Sequence, residues 1–150
     1  MYDSVTPSAI PASARMVAGY VNGDFAWSRA DWARFPHAAQ IGINVTGRLA
    51  DGGTIIDVET GDATTAAIPG WVRGREAAGQ MHGVYCQLSR LPEVQAVLRA
   101  VPIPTAIWVA SWTPSAPHQI PGCVATQFAN RASLGYDMSV VYNDDWHPTP

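Results

Sequence analysis

Asp57-Val58-Glu59 closes the short apolar run Ile55-Ile56 and is followed by a break at Gly61. In a strand, alternate side chains share a face, so Asp57 and Glu59 point one way with Cα atoms roughly 6.5–7 Å apart. Ile56 and Val58 point the other way, into packing. Two carboxylates on the inner face of an apolar strand are costly unless they are paired, hydrated or used. Like charges at this spacing push their pKa values apart. Acid catalysis needs that split, with one group kept protonated and the other kept anionic. The same spacing also suits a solvated edge, or a pair holding an arginine or a cation.

The elements that must position this pair are legible around it. Thr6 and Pro7 suggest a helical turn over residues 6–12, with proline at the first helical position. Arg15–Val21 reads as a first strand. Ser28 and Asp31 form a capping-box pattern that opens a helix carrying Trp32 and Phe35 and ending by Pro36. Ala39–Val45 and Ile55–Glu59 read as the next two strands. Pro69 starts a helix closed by Gly79. Gly83–Leu88 is a strand, and Pro92–Ala100 is a helix with Val94, Val97 and Leu98 on one face. Thr105–Trp112, Val124–Ala129 and Asp137–Tyr142 complete seven strands. A proline-rich loop spans 114–121, and a frayed tail covers 146–150.

Alternating strands and helices imply a mainly parallel sheet. Short apolar strands with polar or aromatic C-terminal ends suit a barrel, where chemistry gathers at that face. A full eight-fold barrel typically needs about 250 residues, with a floor near 200. The chain has 150, so the expected fold is a single α/β domain over 1–150, an abbreviated TIM-like barrel with mainly parallel strands. An open doubly wound sheet is the structural alternative. No Gly-x-Gly-x-x-Gly follows the first strand and no Gly-Lys-Ser/Thr occurs, so a nucleotide fold has little support.

Composition narrows the function classes. The chain is 47% hydrophobic and 14% charged with a net charge of −3, which is globular composition. No basic patch argues for nucleic acid as a partner. No run of 18 apolar residues suggests a membrane span. The first residues have neither the basic nor the apolar region of a secretory signal. All nine basic residues are arginine. With abundant Ala, Gly and Pro, this suggests a high-GC genome such as an actinobacterium or its phage. Cys86 and Cys123 stand outside metal-binding spacings and read as free buried thiols. The four histidines are scattered, so neither a metal nor another cofactor is expected.

The order of motifs resembles the glycoside hydrolase family 25 lysozymes and the related glycoside-hydrolase-like domains of actinobacteria and their phages. The matching pieces are Gly19-Tyr20-Val21-Asn22, Ile55-Ile56-Asp57-Val58-Glu59, Val84-Tyr85-Cys86, Ile107-Trp108-Val109-Ala110, Thr126-Gln127-Phe128 and Tyr136-Asp137-Met138-Ser139-Val140. The resemblance implies cleavage of the β-1,4 link between N-acetylmuramic acid and N-acetylglucosamine in peptidoglycan, at the bacterial cell wall or from a phage particle. It implies Glu59 as general acid, Asp57 as partner carboxylate and Asp137 as the last-strand acid. Gln127 matches a polar residue near the sugar, and Tyr85 and Trp108 match groove aromatics. Asn22, Asp24 and Trp27 follow the expected first strand and are further substrate-binding candidates. Trp108 and Trp112 share a strand face, of which one reaches the mouth while the other packs. If Asp57 keeps hydrogen bonds from Asn22, Tyr85 or Gln127, it stays ionised, which leaves one acid and one anion.

Two departures from the family pattern stand out. The acid that ends the family's first strand is replaced by Val21-Asn22, and one strand–helix unit before the acidic strand is missing. A non-catalytic glycan-binding barrel, or a structural part of a virion or cell surface, is the competing expectation.

Overall fold

A computed structural model describes residues 1–112, 118–131 and 133–143, without the side chain of residue 130. Eight strands close a barrel in sequence order. They are β1 (Tyr2–Asp3), β2 (Met16–Tyr20), β3 (Ala39–Asn44), β4 (Ile55–Val58), β5 (Gly83–Gln87), β6 (Ala106–Ala110), β7 (Ala125–Arg131) and β8 (Tyr136–Val141). β1 through β7 run parallel. β8 runs antiparallel to both β7 and β1 and closes the ring. The fold is therefore the abbreviated, mainly parallel barrel expected.

The eighth strand is the one that sequence reading missed. β1 is two residues long, too short to show any period, yet it supplies the seam between β2 and β8. With β1 counted, Arg15–Val21 belongs to the second strand and the acidic strand is the fourth. The strand count is thereby restored, while the connection between β3 and β4 still lacks an α-helix.

Among the described residues the α-helices are α1 (Arg29–Trp32), α2 (Ile68–Ala77) and α3 (Leu91–Arg99), beside short 3₁₀ turns. The capping box at α1 forms: Ser28 Oγ accepts from the Asp31 N–H at 3.2 Å, and Asp31 Oδ2 accepts from the Ser28 N–H at 2.9 Å. The helix nonetheless lasts four residues rather than running to Phe35, because Pro36 and the approach to β3 end it. Residues 7–9 form a short 3₁₀ turn. Thr6 does not cap it; Ser4 Oγ instead accepts the Thr6 N–H at 2.8 Å. Between β3 and β4 a loop replaces a helix, organised by the fully buried Asn44. Its Oδ1 accepts from the N–H of Thr46 and of Gly47, and its Nδ2 donates to the carbonyls of Arg48 and Gly52. One amide thus satisfies the backbone groups that a helix would have paired. The expected proline-rich loop lies partly, and the tail wholly, outside the described residues.

Strand alternation sorts the core into two shells. Ile56, Val58, Val84, Cys86, Ile107 and Val109 face outward under α2 and α3, with Trp71, Val72 and Val94. Ile41, Ile43, Ile55, Tyr85, Trp108 and Ala125 fill the barrel interior. A third cluster of Ile10, Val17, Trp27 and Phe35 closes the side near β1. Gly19 fixes that side, because a Cβ there would fall inside the Trp27 indole. The ring cannot retreat: it is buried, and its Nε1 donates to the Ser4 carbonyl at 3.0 Å. Gly19→Ala is expected to cost about 3 kcal/mol by overpacking, read as a lower urea midpoint at unchanged slope.

Candidate active site

The parallel strands deliver their C-terminal ends to one mouth. A cavity of about 650 Å³ opens there, lined by Asp3, Tyr20, Asp57, Glu59, Tyr85, Trp108, Trp112, Gln127 and Asp137 among others. Asp57 is the last inward residue of β4, and Glu59 follows on the same face one step beyond the strand. Asp137 reaches the mouth from the start of β8, because that strand runs the other way. Six of the nine residues expected at the site, Glu59, Asp57, Asp137, Tyr85, Trp108 and Gln127, line this single cavity.

Three do not. Trp27 is 6% exposed in the cluster beside β1, its ring centroid 4.6 Å from that of Trp32 at a 47° tilt. The space left by Gly19 draws it inward rather than to the groove. Asn22 is spent on the loop after β3, donating to Asn44, Thr46 and Asp51. Asp24 is exposed in the turn after β2, outside the cavity lining.

Asp3 is the site residue that sequence reading missed. It is 6% exposed and sits opposite Asp137 in the β1–β8 register. Like charges directly opposite are destabilising. Gln127 bridges them, with Nε2 donating to Asp3 Oδ2 at 2.9 Å and to Asp137 Oδ2 at 3.3 Å. The Gln127 Oε1 accepts from Tyr85 Oη at 3.0 Å and from Trp112 Nε1 at 2.8 Å. All the hydrogen-bonding capacity of this amide is used, which fixes its orientation. The signal for Asp3 was indirect: the family pattern asks for an acid on the first strand, and none stands at the end of Arg15–Val21.

Both tryptophans of the β6 region line the cavity, but they differ in exposure. Trp108 is 1% exposed, packs against Tyr85 at a centroid distance of 4.6 Å and a 60° tilt, and donates to Ser139 Oγ at 3.0 Å. It forms a wall of the cavity without offering a free face. Trp112 stands two residues past β6 and is 59% exposed at the rim.

Electrostatics depart from the expected division of roles. Asp57 is pushed up to about 8, first by desolvation and then by the charges of Glu59, Asp62 and Asp3. Its Oδ1 accepts no hydrogen bond among the described residues. The bonds expected from Asn22, Tyr85 and Gln127 go elsewhere, so burial wins and Asp57 is not held as an anion. Glu59 is also raised by desolvation, but a hydrogen bond from Gln87 and the charge of Arg90 pull it back. Asp3 is pushed up to about 8, by burial first and by Asp137 second. The Cys86 and Cys123 thiols are free and buried, and burial pushes them up to about 12 and about 11, which suits packing rather than nucleophilic attack.

The barrel is similar to the structure of a muramidase from Acremonium alcalophilum, with a TM-score of 0.54 and 12% identity over 87% of this chain and 82% of that one. At that identity the likeness establishes a shared fold. No family model and no curated protein sequence matches the chain.

Proposed function

We propose that the chain is a muramidase-type glycoside hydrolase of the family 25 kind, cleaving the β-1,4 bond between N-acetylmuramic acid and N-acetylglucosamine in peptidoglycan. The observation that carries this reading is the convergence of Asp57, Glu59, Asp137 and Asp3 in one open, aromatic-walled cavity at the C-terminal ends of the strands. Barrel enzymes place their chemistry at that face.

Glu59 is the proton donor, because it stands at the mouth while Asp57 lies deeper. The two carboxylates titrate as a pair. With Asp57 pushed up to about 8, the pair keeps one proton through neutral pH. When that proton resides on Glu59, it passes to the leaving sugar oxygen as the glycosidic bond breaks. Positive charge then develops on the ring that keeps the anomeric carbon, beside two carboxylates. Water completes the reaction by adding its hydroxyl to the anomeric carbon and returning a proton to the pair. Carboxylate oxygens of Asp57 and Glu59 lie within 4.8 Å of each other.

Trp112 serves as a stacking platform at the rim. Trp112→Ala is expected to raise KM for glycan about tenfold, the value of one aromatic contact, with kcat little changed. Steady-state kinetics on soluble glycan fragments check it.

The second reading is a glycan-binding or structural barrel of a virion or cell surface. It is favoured by the reduction of the helical layer to α1, α2 and α3. Mass analysis of a peptidoglycan digest separates the two. New fragments ending in reducing N-acetylmuramic acid support the hydrolase. Retention on the glycan without new fragments supports the binding barrel.

A further inference from the structure

We propose that Asp57, Glu59 and Asp62 form a site for a hard divalent cation such as Ca²⁺, at the edge of the same cavity. Each residue offers one carboxylate oxygen, and these three atoms lie within 4.8 Å of one another. A Ca²⁺ ion binds oxygens at about 2.3–2.6 Å, so ligands on opposite sides of one ion stand about 4.8 Å apart. A single ion can therefore touch all three groups.

The chain builds the cluster from one short segment. Asp57 and Glu59 share the inward face, and Gly61, at φ 100°, turns the chain back. The Asp62 N–H donates to the Glu59 carbonyl at 3.3 Å, and the Ala63 N–H donates to the Asp57 carbonyl at 3.1 Å. That closure holds the third carboxylate beside the other two.

An independent observation points to a ligand. Asp57 is 3% exposed, and its Oδ1 has no hydrogen-bond partner among the described residues. A buried carboxylate oxygen left without a partner is expensive, and a bound cation would satisfy it. Among the described residues, no cationic side chain acts on Asp57 or on Asp62. Of the three carboxylates Arg90 acts only on Glu59, and its Nη2 donates to Thr60 Oγ1 at 3.4 Å. One guanidinium at the side leaves three carboxylates short of positive charge. The donors are all oxygen, with no Cys or His, which selects Ca²⁺ or Mg²⁺ over softer metals. Water would complete the coordination shell.

The site goes beyond the hydrolytic reading and stands without it. Where that reading holds, the two uses of Glu59 exclude each other. A cation on Glu59 requires the anion, whereas donation requires the acid, so Ca²⁺ is expected to inhibit hydrolysis.

Calorimetric titration of the full chain with CaCl₂ tests the site without reference to hydrolysis. The expected result is saturable binding of one equivalent, weakened at least tenfold in Asp62→Asn, with circular dichroism showing that variant folded. Absence of saturable binding up to about 10 mM, above the range of weak calcium modules, overturns the proposal. Equal affinity in a folded Asp62→Asn overturns it too. Neither failure would touch the hydrolase reading, which peptidoglycan digestion decides separately.

Discussion

The protein is expected to lose several kcal/mol of stability as pH rises from about 4 to about 8, the reverse of common acid denaturation. Asp3 and Asp57 both carry folded-state pKa values of about 8 against ordinary values of 3.8. Between those values the native state binds more protons than the unfolded state, so the slope of stability against pH is negative. Stability is fully present below about 4 and is lost as pH climbs through about 8. One pKa unit corresponds to about 1.4 kcal/mol, so Asp57 alone accounts for about 6 kcal/mol. The two groups interact, and their effects do not simply add. Glu59, Asp62 and Asp137 are raised by burial and act in the same direction. The exposed Asp31 and Asp51 act oppositely, lowered by hydrogen bonds from Ser28 and from Thr46 respectively. Their contributions fade only as pH falls below the ordinary carboxylate range, which sets the acid limit. Asp57→Asn is expected to match the wild type near pH 4 and to exceed it by about 3–5 kcal/mol at pH 8, because the amide removes the buried charge. Urea melts at both pH values measure this difference.

Glu59→Gln is expected to lower kcat on peptidoglycan by about 10²- to 10⁴-fold, the range for loss of a positioned general acid. The substitution keeps the shape of the side chain and removes only the proton it donates. Glu59 lies beyond the end of β4 and is half-buried, so the barrel should stay folded. Binding to glycan should persist, since Trp112 and the other lining residues are untouched. The wild-type pH profile carries a second signature. Activity should fall above about pH 8, as the last proton leaves the Asp57–Glu59 pair. In Asp57→Asn that alkaline limb should move to lower pH, because Glu59 loses the anionic neighbour that raises its affinity for a proton.

Much of the barrel was readable because strand alternation is strict. Ile56 and Val58 lie under the helices while Asp57 and Glu59 face the cavity, as period two requires. The prolines at positions 69 and 92 marked the starts of α2 and α3 to within a residue. What escaped was set by tertiary context. β1 has only Tyr2 and Asp3, so no local pattern distinguishes it from a loose terminus, and its place is decided by the gap between β2 and β8. Asp3 was lost with it. Trp27 reads as a groove aromatic from its loop position, but the absence of a Cβ at Gly19 makes room for it in the core. The expected hydrogen bonds to Asp57 failed because Asn22 and Gln127 are consumed by other partners. Spacing locates a carboxylate pair; only the neighbouring strands decide which member is desolvated.

The central claim is that the carboxylates at the barrel mouth cleave a glycosidic bond. Release of reducing ends from purified peptidoglycan, compared between the wild type and Glu59→Gln, tests it most directly. Sustained release by the wild type and none above background by a folded variant that still binds the glycan is the expected result. Equal release by both proteins, or none by either, would contradict it.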